Sequence, residues 1–162
     1  MNHAPEWVLW LQATPLAAAM RHWLWLYPAV EIVHIAGIVL LVGCVAGFDL
    51  RLLGWSPQLP VSVLANHLLP WSRVGFLLVL PSGLLMFSAH AADLYASSVF
   101  RLKLAAIVLA LANVLLFHLW SARRITAWDV RVSVPVGARA AGAFSLGLWL
   151  LVIACGRLLA YF

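Results

Sequence analysis

Residues 28–54 read PAVEIVHIAGIVLLVGCVAGFDLRLLG, and from Ile32 to Phe48 the run holds no Asp, Glu, Lys or Arg. A helix on the surface of a soluble protein shows one apolar stripe, whereas this stretch is apolar all round, as a helix surrounded by lipid must be. Crossing the hydrocarbon core takes ~20 such residues. Pro28 suits a first helical turn and Gly54 suits a stop, so the first span is predicted over Pro28–Leu53. Within it Gly43 and Gly47 form a small-xxx-small step that predicts close approach of a neighbouring helix.

The rest of the chain repeats this pattern. Of its 162 residues, 65% are hydrophobic and 9% charged, with a mean hydropathy of +1.03. A soluble domain uses roughly 45–50% apolar and 25% charged residues, and a core of this size could not absorb such an excess. Three further spans are predicted: Leu64–Ala89, with Pro70 as an alternative start and a kink at Pro81; Val99–Ser121; and Ala140–Tyr161. Residues 5–26 carry Trp7, Trp10, Trp23 and Trp25 around Pro15, too short and interrupted to span but suited to headgroup depth. They lack the basic start and clean apolar run of a cleavable signal, so the first span is expected to direct insertion. The predicted fold is therefore all-α: an integral membrane four-helix bundle over residues 28–162, preceded by an interfacial amphipathic segment over residues 1–27.

The ten Lys and Arg against five acids give a net charge of +5. Because these cations flank apolar runs, they read as topology signals and lipid headgroup partners rather than as a nucleic-acid surface. Four spans place Arg51, Arg73, Arg123, Arg124, Arg131 and Arg139 on one side and Arg21, Arg101, Lys103 and Arg157 on the other, which also collects Glu6, Glu31 and Asp93. The positive-inside rule then predicts a multi-pass protein of the bacterial inner membrane with both termini periplasmic. Cys44 and Cys155 fall in apolar runs and read as small buried hydrophobes, not as a disulfide framework.

Ionisable groups at membrane depth are costly and mark function. His34 and His90 fall at the outer ends of their spans, His67 and His118 at the cytoplasmic ends. Two facing imidazoles in a helical bundle are what a haem b requires, so two pairs allow one haem or two. On an ideal helix His67 and His90 lie ~140° apart, which only the Pro81 kink or a His67 outside the helix relieves, so one haem near the outer face is the safer expectation. The alternative for each histidine is simple contact with interfacial water, and His3 and His22 read as surface residues. Glu31, three residues before His34, can sit over the same face and accept its ring N–H, or face water. Arg101 and Lys103 enter the third span near the level of His34 and can pair with haem propionates or snorkel to headgroups. Asp49 and Arg51 either pair or mark the cytoplasmic boundary. Ser82 and Asn113 read as interhelical hydrogen-bond groups, and Met86 as core or a sulfur ligand. A di-iron site would need further inward carboxylates that the chain lacks.

The run from Glu31 and His34 through Asp49-Leu-Arg51 to Gly54, with Phe100-Arg-Leu-Lys103 and Phe117-His118, resembles small bacterial membrane proteins of unknown function related to the copper-resistance D (CopD) and HemJ-type groups. HemJ-type proteins are similarly small, bind haem b and oxidise protoporphyrinogen; the resemblance implies roles for His34 and Lys103, with His118 a weaker match. CopD-like relatives imply copper handling. The sequence thus predicts a haem b protein of electron transfer, cytochrome b-like or quinone-linked, working with quinone or a periplasmic redox partner. The alternatives are a copper or small-solute transporter using Glu31, His34 and His118, and a scaffold subunit of a larger complex or homo-oligomer.

Overall fold

The computed structural model describes residues 4–120 and 133–161; for Trp120 only the backbone is described. The described chain is helical throughout: α1 Glu6–Ala13, α2 Pro15–His22, α3 Leu26–Leu52, α4 Val61–Ala89, α5 Ala91–Ala96, α6 Ser98–Trp120 and α7 Val136–Leu158. Four of them (α3, α4, α6 and α7) are long and apolar enough to cross a membrane. Large apolar side chains cover their outsides, among them Ile32, Val39, Leu77, Val108 and Leu150, as contact with lipid tails allows.

The end of α3 matches its sequence signal. Gly54 takes φ +104°, its N–H bonds the Arg51 carbonyl at 3.1 Å, and Trp55 N–H bonds the Leu50 carbonyl at 3.0 Å. These are the two bonds of a Schellman stop, and only glycine takes that left-handed turn without steric cost. The second span differs from expectation. It starts at Val61 behind Pro60 and runs through both Pro70 and Pro81. A proline's freed carbonyl is tolerated in a spanning helix where other groups re-satisfy the backbone. Ser72, Ser82 and Ser88 turn their hydroxyls back onto the carbonyls of Leu69, Leu78 and Leu85, which are not the carbonyls of Asn66 and Leu77 that the two prolines free. The fourth span likewise starts earlier than predicted, at Val136 behind Pro135.

α3 lies between α4 and α7, and α6 packs on α7. The α3–α4 seam is the tightest. A Cβ on Gly75 would stand 2.5 Å from the Leu41 backbone nitrogen and 2.8 Å from the Gly37 carbonyl oxygen, and one on Gly37 would stand 3.1 Å from the Gly75 oxygen. Gly37 and Gly75 therefore let the backbones meet; of the predicted Gly43–Gly47 step only Gly47 faces α4, where a Cβ would stand 3.3 Å from Leu68 Cδ1. Around Gly43 a Cβ would touch nothing within 4 Å. The core follows this row of helices, with Leu41, Val45, Ala106, Ala110, Leu148, Trp149 and Val152 in one cluster. Toward the far end Phe48, Leu52, Val61, Phe117, Val134 and Ala138 form another. α4 and α6 instead meet through the stacked rings of Phe87 and Phe100, 5.3 Å apart.

The tryptophan-rich start docks on the bundle. Thr14 caps α2, accepting from Ala17 N–H at 3.3 Å while donating to the Leu11 carbonyl at 2.7 Å, and Pro15 follows at the first turn. Arg21 donates to the Ala89 carbonyl at 3.1 Å, and Gln12 Oε1 accepts the Ala92 N–H at 3.0 Å. Trp7 meets Tyr95 edge-on. Trp10, Trp23 and Trp25 stay exposed, as headgroup-level anchors do. The short α5, absent from the sequence expectation, completes this N-terminal face of the bundle.

Candidate functional site

His34 sits on α3, half-buried, with its ring turned to α4. Its Nδ1 lies 2.9 Å from Ser82 Oγ. Ser82 has one hydroxyl proton and donates it to the Leu78 carbonyl at 2.5 Å. Toward His34 it therefore offers a lone pair, so Nδ1 carries the ring proton. In the neutral ring Nε2 is then left with a free lone pair, the arrangement a metal-binding histidine needs. Gly83 makes room for the ring: a Cβ there would stand 3.1 Å from His34 Cε1.

Lys103 reaches the same region from α6. It is partly buried, lies beside Cys155 and within electrostatic reach of His34, and its Nζ lies 3.6 Å from where a Gly156 Cβ would stand. Depth agrees: counted from the middle of each helix, His34, Ser82 and Lys103 lie about 8, 11 and 9 Å toward the N-terminal face at 1.5 Å per residue. A serine, a histidine and a lysine from three helices thus share one level. The reading of Ser82 as an interhelical hydrogen-bond group holds, with His34 as its partner.

The other predicted residues are dispersed. His90 caps α4 and packs its ring edge-on against Tyr27, 6.0 Å between centroids. Tyr27 is seven residues before His34, about 10 Å along the helix, so His90 does not face His34. His67 is exposed on α4. His118 Nδ1 turns back to the Val114 carbonyl of its own helix at 2.9 Å. Since α4 and α6 do not pack along their length, His67 and His118 form no facing pair. Glu31 is exposed a turn from His34 and within its electrostatic reach, whereas Ser82, not Glu31, takes the ring N–H. Arg101 is exposed, as a headgroup partner is. His22 is exposed at the end of α2, while His3, Arg123, Arg124 and Arg131 lie outside the described residues. Among the described residues no three His, Cys, Asp or Glu side chains converge on one point.

A second polar focus lies in the other half of the bundle. Gly142 lets α7 approach α3 until a Cβ there would stand 3.2 Å from the Asp49 carbonyl oxygen. One turn on, Ser145 bonds the Asp49 side chain. Asp49 is only 5% exposed, and among the described residues its Oδ2 has no hydrogen-bond partner. It does not pair with Arg51, which points to the loop and donates to the carbonyls of Leu59 and Pro57 at 2.7 and 3.3 Å. Residues two apart on a helix face different ways.

No protein-family model, curated protein or solved structure matches the chain.

Proposed function

We propose that this chain is a redox protein of the bacterial inner membrane that binds a single haem b through His34, with the N-terminal face periplasmic. The observation that carries the reading is the 2.9 Å contact between Ser82 Oγ and His34 Nδ1, which supports a ring proton on Nδ1 and Nε2 as the ligand. The residues fit the group: Nε2 supplies an axial nitrogen, the Lys103 ammonium offers a partner for a propionate, and Gly83 gives the ring its space. Bound haem would supply one-electron chemistry at that level of the membrane. Ser82 orients the ring and Lys103 holds negative charge nearby; a quinone or a periplasmic carrier is the proposed exchange partner. One haem is favoured over two because His67 and His118 do not face each other.

The test is the reduced-minus-oxidised absorption spectrum of the protein purified from membranes of haem-replete cells. Soret and α bands of b type are expected; their absence overturns the reading. Ser82→Ala removes the hydroxyl that orients the ring and should weaken haem affinity about tenfold, as loss of an outer hydrogen bond to a ligating histidine does. Haem titration of the apo-protein measures it. Unchanged affinity would show that Ser82 has no such role.

A further inference from the structure

A cavity of about 320 Å³ opens at the end of the bundle opposite His34, where the end of α3 meets the start of α7. It is at the small end of the range for ligand sites, ~300–1,000 Å³. Leu52 and Val134 are the buried apolar part of its lining, and both belong to the cluster that closes this end of the core. The cavity therefore stands at the edge of the hydrocarbon, at the depth of lipid headgroups.

The guanidiniums of Arg51 and Arg139 and the hydroxyl of Ser133 share this lining. Arg51 is 3% exposed. The left-handed turn at Gly54 reverses the chain after α3. The returning loop then accepts from Arg51, Nε donating to the Leu59 carbonyl at 2.7 Å and Nη2 to the Pro57 carbonyl at 3.3 Å. These acceptors carry no charge: they hold the guanidinium in place and leave it a cation. Arg139 is exposed, on the first turn of α7. That helix starts behind Pro135 without a side-chain cap, so its positive end adds to the same rim. No carboxylate lines the cavity among the described residues, and Asp49, two residues before Arg51, turns to Ser145 instead.

Charge and donors decide the ligand. Guanidiniums offer only N–H donors and stay protonated at physiological pH, so the cavity takes an anion and repels a cation. Their planar fork matches two oxygens of a phosphate. Lipid phosphates lie at this depth, and basic pockets between spanning helices are headgroup sites. We propose that the cavity binds one phosphate group between Arg51 and Arg139, with the Ser133 hydroxyl as a further donor. The group is the headgroup phosphate of an anionic lipid or a free phosphate ion. Binding makes and breaks hydrogen bonds alone, and no covalent bond changes. The site lies apart from His34 and does not depend on haem.

Native mass spectrometry of the full chain in detergent tests this, with dioleoyl-phosphatidylglycerol, dioleoyl-phosphatidylcholine and inorganic phosphate titrated separately. The wild type is expected to bind phosphatidylglycerol more tightly than the net-neutral phosphatidylcholine. Arg139→Gln should weaken that binding about tenfold, the size of one lost hydrogen bond to a charged group. Arg139 carries the test because Arg51 also ties the loop to α3. Arg139→Lys keeps the charge without the fork and should fall between the two. Arg73→Gln removes a cation from the same side that lines a separate cavity with Asp49, and should leave the affinity unchanged. If inorganic phosphate binds alone and displaces the lipid, the occupant is free phosphate; if only the lipid binds, it is the headgroup. Either result supports the site when Arg139→Gln weakens it. Equal weakening by Arg73→Gln would reduce the effect to diffuse surface charge and overturn the site, as would binding that no Arg139 variant changes.

Discussion

A Gly75→Val chain is expected to lose the tight α3–α4 seam and to unfold or aggregate in detergents that keep the wild type monodisperse. Even the first added carbon would stand 2.5 Å from the Leu41 backbone nitrogen and 2.8 Å from the Gly37 carbonyl. Both obstacles are backbone and cannot rotate away, so the helices must separate. Overpacking of a well-packed seam costs typically 1–3 kcal/mol, and a backbone obstacle places this change at the upper end, about 3 kcal/mol. Without an aqueous hydrophobic drive between helices, close packing is the main attraction, and its loss is not recovered elsewhere. Gly43→Ala is the control. Its Cβ meets nothing within 4 Å, and alanine gains about 0.8–1 kcal/mol of helix propensity over glycine. Thermal unfolding followed by circular dichroism should show a large drop for Gly75→Val and none for Gly43→Ala; the reverse order would place the seam at the residues the small-xxx-small pattern first suggested.

His34→Ala is expected to abolish haem binding, while His90→Ala and His118→Ala keep it. The asymmetry follows from partners. His34 is held at Nδ1 by Ser82, with Nε2 free, whereas His90 leans on Tyr27 and His118 spends Nδ1 on its own helix. On the proposed reading His34 supplies the protein's axial nitrogen, so the Soret band of the purified variant should fall below detection. Loss of haem in His90→Ala with retention in His34→Ala would move the ligand to the Tyr27 corner. Lys103→Gln should retain haem with lower affinity, because it removes a charge that pairs with propionate but no iron ligand.

Much of the fold was legible because lipid imposes one rule on every residue of a span. Uninterrupted apolar runs found all four crossings, and Gly54 marked the end of α3 because a left-handed cap is a local requirement. What was misread depended on which face a helix turns to its neighbour. Gly43 and Gly47 satisfied a spacing rule, but the apposed glycines are one each on α3 and α4, a pairing that no single stretch reveals. Pro70 looked like a helix start because proline ends helices in water; in α4 it continues inside the span. The bundle end formed by α1, α2 and α5 was half-seen, its tryptophans pointing to the interface while α5 went unnoticed as six residues without a strong period.

The candidate sites divide in the same way. His34 and Lys103 stood out as ionisable groups in apolar runs and as the positions implied by the HemJ-type resemblance, and the bundle brings both to one level. His34 and His90 share a side of the bundle but not a level: His90 stands beside Tyr27, about two turns from His34 along α3. Asp49 read as a boundary residue from its distance to Gly54, and its burial against α7 depends on a contact that no single stretch of sequence reveals.

The most direct test of the central claim is the haem-to-protein ratio of the purified wild type, measured by the pyridine haemochrome method against quantitative amino-acid analysis. One haem b per chain is the predicted result. A ratio near zero after expression with ample haem would contradict the assignment of His34 as an axial ligand, and a ratio of two would contradict the single site.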